Sequence, residues 1–231
     1  MCDRPLEITV FTARAIATVL AEIGAEFERA TGHKLIVVSD LPAGFQRRVN
    51  AGERFDLVIS GAGPVDEWIR DGRLVATTRT DIARSGIGVE VRAGSPKPDI
   101  RTVDAFKRAV LNAKSIAYLK VGSGVCLDGV FERLGISEAI KSRVTRPDSD
   151  IVSELVAKGD VEVGMTVITQ ILTTPGVELV GPLPDEIQSY VTFVAAISAE
   201  SKVKGAASEL LAFLKGPNAI AVMTSQGMEP R

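Results

Sequence analysis

The stretch Leu6–Thr31, LEITVFTARAIATVLAEIGAEFERAT, changes its hydrophobic period in the middle, and that change decides the fold. Leu6, Ile8 and Val10 alternate with polar residues as in a strand, whereas Ile16, Leu20, Ile23 and Phe27 recur at helical spacing. A strand therefore hands over to a helix near Thr12. The turn Thr12-Ala13-Arg14-Ala15 is made of small residues apart from one arginine, and it sits where the backbone N–H groups of a helix start lack partners. Such a turn attracts anions, so the chain is expected to gather several turns of this kind around one small anionic molecule.

Composition narrows the class. With 231 residues and 45% hydrophobic content the chain has ample material for a buried core, as one large domain or two small ones. A formal charge of −2 with interspersed signs, and few aromatics, argue against a nucleic-acid surface. No apolar run reaches the length of a membrane span. Met1-Cys2-Asp3-Arg4 lacks the features of a secretory signal, so the chain is expected to be cytoplasmic, or periplasmic if an upstream signal has been removed. Cys2 and Cys126 are read as thiols, and Cys2 has the alternative of a lipidated start. His33, the lone histidine, is expected at the surface by the end of the first helix, which removes most histidine-based mechanisms. No spacing suggests a metal and no motif suggests a cofactor.

Outward from the opening stretch the same handover recurs. Gly32 suits a left-handed helix end, and Leu35–Val38 reads as a buried strand. Asp40-Leu41-Pro42-Ala43-Gly44 then forms a second strand-to-helix turn, with proline suited to the first helical turn and the helix running from Phe45 to Ala51. Phe55–Ser60 is a third strand, followed by Gly61-Ala62-Gly63-Pro64, which lacks the third glycine of a dinucleotide fingerprint. Ile82–Val91 is a long alternating strand. Thr102 is placed to cap the next helix, Ser115–Leu119 is a strand, and Gly122-Ser123-Gly124 leads into a helix with Leu127, Val130, Phe131 and Leu134 on one face. Asp148-Ser149-Asp150 is a capping cluster. Val161–Met165 is a strand running into a helix that begins near Thr166, and Val177–Val180 is another strand. Val191–Ile197 alternates after Gln188-Ser189-Tyr190, and two amphipathic helices, Lys202–Leu214 and Pro217–Gln226, close the chain.

Repeated strand-helix units imply mostly parallel sheets flanked by helices. The two long alternating runs act as crossover strands, dividing the chain into a first lobe of residues 1–84 and 192–231 and a second of residues 85–191. Ligands of open α/β sheets sit beyond the carboxyl ends of the strands, so the expected ligand cleft lies between the lobes, where these turns would meet.

Four segments resemble the molybdate-binding type of periplasmic solute-binding protein, with its type 2 periplasmic-binding-protein fold. They are ITVFTARAIATVLAEIGAEFERATGHKL, FDLVISGAGPVDEWIRDGRLV, GVFERLGI after its Ser/Gly turn, and the closing AASELLAFLKGPNAIAVMTSQGMEP. The resemblance implies two α/β lobes that close on a ligand as a hinge, and an ABC transporter permease as partner. It also implies serine-bearing turns that hold a tetrahedral anion. Here Ala15 stands where the serine would be, Arg14 is beside it, and the second turn carries Asp40.

A guanidinium fork suits a planar carboxylate, which shifts the expected ligand from molybdate towards an organic acid. The candidate ligand-binding residues are Thr12, Arg14, Ala15, Asp40, Ala43 and Gly44 in the first lobe. In the second they are Ser123, Gly124, Thr166, Thr169, Gln170, Gln188 and Tyr190. The expected function is capture of a small carboxylate or tricarboxylate for uptake. The alternatives are an isomerase of aconitate-like acids on the same scaffold, which certain relatives resemble and for which Asp40 or Tyr190 would be the base, and an oxyanion binder. A ligand-sensing regulator ranks last, because the chain has no room left for a DNA-binding element.

Overall fold

The computed structural model describes residues 5–231, and Cys2, whose lipidation was considered above, lies outside them. The chain divides into two compact units. The first runs to Arg84 and includes Thr192–Ser225 and Glu229–Arg231; the second comprises Ser85–Val191 and Gln226–Met228. This is the two-lobed α/β architecture expected from the alternation of strand and helix.

In the first unit, β1 (Glu7–Thr12) leads into α1 (Arg14–Thr31), β2 (Lys34–Ser39) into α2 (Pro42–Asn50), and β3 (Leu57–Gly61) into α3 (Ala62–Arg70). β1 lies parallel to both neighbours, with Thr12 in register with Ser39 of β2 and Ile59 of β3. Three strand-to-helix turns therefore leave the same end of one sheet. α1 closes on Gly32 at φ 75°, whose N–H donates to Glu28 O, the left-handed stop that glycine makes inexpensive. Phe11 is fully buried between the rings of Phe45 and Phe55, at centroid distances of 5.1 and 4.9 Å. Burial of each such ring stabilises the fold by about 2–3 kcal/mol.

β4 (Thr80–Arg92) carries the chain into the second unit. There α4 (Val103–Asn112), β5 (Ile116–Ala117), α5 (Ser123–Arg133), α6 (Ser137–Ile140), β6 (Val144–Thr145), α7 (Val152–Lys158), β7 (Val163–Val167), α8 (Ile168–Thr173) and β8 (Val177–Pro182) follow. β5 is parallel to β6 and β7, while β4 runs antiparallel to β7 and β8. Thr102 caps α4 as its position suggests, its hydroxyl accepting from Ala105 N–H at 3.2 Å. Leu127, Val130 and Phe131 pack with Phe106, Ile116 and Met165 in this unit's core.

β9 (Tyr190–Ile197) returns the chain and lies antiparallel to β3; α9 (Lys204–Leu214) and α10 (Pro217–Ser225) follow. A final short strand, β10 (Glu229–Pro230), pairs with the beginning of β4, Glu229 opposite Arg84. Two residues carry no readable period, so β10 has no signature in the sequence.

Four expectations are corrected. The strand expected to be buried at Leu35–Val38 is the edge strand β2, with Ile36 and Val37 exposed, because only β1 covers one of its sides. His33 is not a surface residue: it is 4% exposed, tilted against Phe27, with Nδ1 accepting from Leu6 N–H at 3.4 Å and Nε2 3.5 Å from Glu209. Its ring packs on Phe27 of α1, and Glu209 of α9, remote in sequence, approaches its Nε2. Asp148 and Asp150 do not cap α7, whose start has no side-chain cap; they reach Lys120 and Gln170 instead. The strand expected at Ser115–Leu119 keeps only Ile116–Ala117 in its ladder, because Tyr118 and Leu119 already belong to the turn before α5.

Candidate functional site

The first unit builds its turns from backbone economy. Ala13 N–H donates to Ile59 O at 2.9 Å and Asp40 N–H to Thr12 O at 3.3 Å, which ties the turns after β1, β2 and β3 together. Thr12 is buried, its hydroxyl donating to Ala13 O at 3.3 Å, and Ala15 is buried against the core. Arg14, half-buried, is the first residue of α1. That helix has no acidic residue in its first turn and no side-chain cap, so its N-terminus carries a positive side chain where the helix dipole favours a negative one.

At α2 the opposite sign prevails. The Asp40 carboxylate accepts the Leu41 N–H through Oδ1 at 2.8 Å and packs where a side chain on residue 44 would stand. A Cβ on residue 44 would fall on the Asp40 carboxylate, so a larger residue there would have to push that carboxylate aside. Asp40 Oδ2 lies 3.6 Å from Arg48, which makes its closer bonds, at 3.0 and 3.3 Å, with Glu53. Ala43, on the first turn of α2, is exposed.

In the second unit the turn before α5 is closed by glycines. Gly122 adopts φ 58°, and a Cβ on Gly124 would overlap the carbonyl oxygen of Leu119. Ser123, the first residue of α5, is buried. Thr166, Thr169 and Gln170 are buried together at the junction of β7 and α8. The Thr166 hydroxyl donates to Gln170 Oε1 at 3.4 Å, and Gln170 Nε2 donates to Asp150 at 2.8 Å. The Thr169 hydroxyl and Ser85 Oγ lie 3.1 Å apart. Gln188 is engaged elsewhere: its amide accepts from Ile87 N–H at 3.1 Å and donates to Ile87 O at 3.0 Å, imitating a strand partner. Tyr190 begins β9 and is 42% exposed.

Sequence reading passed over a polar lock behind the α5 turn. Tyr118 OH donates to Asp128 Oδ1 at 3.0 Å, Arg146 Nη2 donates to Asp128 Oδ2 at 2.8 Å and to Leu119 O at 3.3 Å, and the guanidinium stands 4.8 Å from the centre of the Tyr118 ring. Burial, with Asp128 adding to it, pushes the Tyr118 hydroxyl up to about 12. Arg146 directly follows β6, so the rule that flagged Arg14, a lone arginine beyond a strand's carboxyl end, applies to it as well.

The second unit also has an open groove of about 810 Å³, lined by Arg92, Arg108, Lys114 and Glu162. It lies by Ser115 and Val163, at the amino ends of β5 and β7, the ends opposite to the turns above. Size alone therefore does not make it the candidate site. Among the described residues no group of three or more His, Cys, Asp or Glu is arranged to hold a metal, and no helix is long and apolar enough to cross a membrane. Cys126 is a free thiol.

The fold is that of the two-lobed periplasmic binding proteins. Residues 8–229 match the family of bacterial extracellular solute-binding proteins, and the chain belongs to that family. It is 29% identical over 229 residues to an aconitate isomerase from a Pseudomonas species, covering 96% of this chain and 87% of that protein. It is 27% identical over 235 residues to the molybdate-binding protein ModA of Azotobacter vinelandii, covering 96% and 89%. Among solved structures, the periplasmic molybdate-binding protein of Azotobacter vinelandii superposes with a TM-score of 0.80 at 19% identity, covering 96% of this chain and 98% of that one. The sulfate-binding protein SubI of Mycobacterium tuberculosis H37Rv superposes with a TM-score of 0.78 at 18% identity, covering 97% and 87%.

Proposed function

We propose that the protein binds a small organic polycarboxylate. The observation that carries this reading is Arg14, half-buried as the first residue of α1, at the helix end where the dipole favours an anion. A guanidinium fork grips a planar carboxylate through two parallel hydrogen bonds, whereas a tetrahedral oxyanion is held equally well by neutral donors. The ligand-binding residues in this reading are Thr12, Arg14 and Ala15, with Asp40, Ala43 and Gly44 in the neighbouring turn. The second unit contributes Ser123, Gly124, Thr166, Thr169 and Gln170, with Gln188 and Tyr190 at its margin. Uptake through an ABC permease from the periplasm is the physiological role that fits the family's description.

A second reading, isomerisation of an aconitate-like acid, is favoured by the likeness to the aconitate isomerase, which extends over 96% of the chain. Both readings require carboxylate binding. Calorimetry with citrate, cis-aconitate and molybdate, on the wild-type chain and on Arg14→Ala, tests it. Carboxylate affinity on the order of micromolar is expected, lost in the variant, with molybdate weaker. Molybdate binding more tightly than every carboxylate would overturn the reading.

A further inference from the structure

We propose that the open groove at the amino ends of β5 and β7 is a second binding site, for a small polyanion that carries negative charge on more than one centre. It stands apart from the carboxylate reading above. The groove is walled by the face of α4 that carries Arg108 and Asn112, by the turn after β4, and by the stretch from Gly159 to Val163 that leads into β7. All of these belong to the second unit. Its volume of about 810 Å³ falls in the range of about 300–1,000 Å³ that small-molecule sites occupy.

Charge carries the assignment. Four basic and two acidic side chains line this groove, in a chain whose formal charge is −2. Both acids are engaged. Arg101 holds Asp99 by two bonds, Nε to Oδ1 at 3.0 Å and Nη2 to Oδ2 at 3.2 Å, and Glu162 Oε2 accepts the Lys114 N–H at 2.6 Å. Of the four cations, Lys97 reaches Glu178 at 3.1 Å. The Asp99 carboxyl is held down at about 2 chiefly by its bonds to Arg101, and Arg108 adds a smaller pull in the same direction. Among the described residues no carboxylate pairs with Arg92, Arg108 or Lys114. Three cations therefore share one concave surface without a protein anion bound to them, and such a surface focuses a positive field.

The three come from different places in the chain. Arg92 ends β4, Arg108 lies within α4, and Lys114 stands just beyond that helix. Val91 is in register with Val163, so Arg92 stands beside Glu162, and its Nη1 lies 3.3 Å from where a Cβ on Gly159 would be. Lys114 is tied to Glu162 through its backbone, so Arg92 and Lys114 flank that residue while Arg108 occupies the helix wall. Val91 and Val163 beneath them are only 2% and 6% exposed, which leaves recognition to the charged rim. A ligand with one charged centre meets part of this set. One with two or more, a diphosphate or a tricarboxylate, spans cations on separate elements, and each guanidinium offers paired donors to either group.

The test follows the backbone amides of Ala109, Asn112 and Lys114 in the full chain by heteronuclear NMR, as pyrophosphate, citrate or orthophosphate is added at low salt. These amides belong to the groove, so they report it separately from the turns after β1 and β2. Pyrophosphate and citrate are expected to shift them along saturable curves with affinity on the order of 0.1 mM, the tighter of the two marking the ligand as phosphate or carboxylate. Orthophosphate is expected to bind about tenfold more weakly, because it engages fewer cations at once. Arg92→Gln combined with Arg108→Gln changes two exposed side chains and is expected to weaken the tighter probe by at least about tenfold. Absence of saturable shifts up to about 10 mM of both polyanions would overturn the proposal. An affinity in the double variant within about twofold of wild type would overturn it too. Orthophosphate binding as tightly as pyrophosphate would overturn the requirement for more than one charged centre.

Discussion

Tyr118 and Asp128 are joined by a 3.0 Å hydrogen bond from the phenol to the carboxylate, and Tyr118 is 5% exposed. The bond fastens the end of β5 to the middle of α5, so it braces the Gly122–Gly124 turn from behind. Tyr118→Phe is expected to cost about 1 kcal/mol in urea unfolding, the ordinary worth of a buried hydrogen bond whose acceptor keeps another partner.

The same residue sets an alkaline limit. Its folded pKa is raised from 10.0 to about 12, so above pH 10 the unfolded chain loses this proton before the folded one does. Stability contributed by Tyr118 is therefore whole below about pH 10 and is lost as the pH rises towards about 12. The chain has two tyrosines, which makes the assignment simple: an ultraviolet phenolate titration should show a component near pH 12 that disappears in Tyr118→Phe.

Gly124→Ala places a methyl group on the backbone oxygen of Leu119, which cannot rotate away as a flexible side chain would. A loss of about 3 kcal/mol is expected, together with weaker ligand binding. Unchanged thermal stability in this variant would overturn the role given to Gly124 in the turn.

His33→Ala removes a buried ring that packs on Phe27 and accepts the Leu6 N–H. Because Nδ1 is the acceptor, the neutral ring carries its proton on Nε2, facing Glu209. The substitution is expected to lower stability by about 2 kcal/mol through the cavity it leaves, with carboxylate affinity unaltered. A surface histidine would show no such loss, so differential scanning calorimetry separates the two.

β2 is an edge strand with Ile36 and Val37 exposed at 43% and 38%. Glu28 on α1 accepts the outward Leu35 N–H at 3.0 Å, which blocks part of an edge that would otherwise accept a foreign strand. Glu28→Ala is expected to raise the rate of aggregation, followed by light scattering, while costing only about 1 kcal/mol in stability.

Much of this molecule was legible from local pattern. The switch from period two to period 3.6 at Thr12, the glycine stop at Gly32, the proline at the start of α2 and the Thr102 cap are each decided by a few neighbouring residues, and all appear where the sequence places them. The order of elements, the α/β class and the likeness to solute-binding proteins follow from such local features. Other features depend on residues far apart in the chain, which no periodicity reveals. His33 meets Glu209 of a helix far along the chain, Arg146 finds Asp128 and Leu119 across the second unit, and β10 returns to pair with β4. The Asp40 turn shows both levels at once. The sequence alone determines that Asp40 and Gly44 flank a helix start. Only the tertiary structure decides that the carboxylate lies over the glycine, at the sheet end it shares with Arg14, because hydrogen bonding and excluded volume between turns act only once the strands are in register.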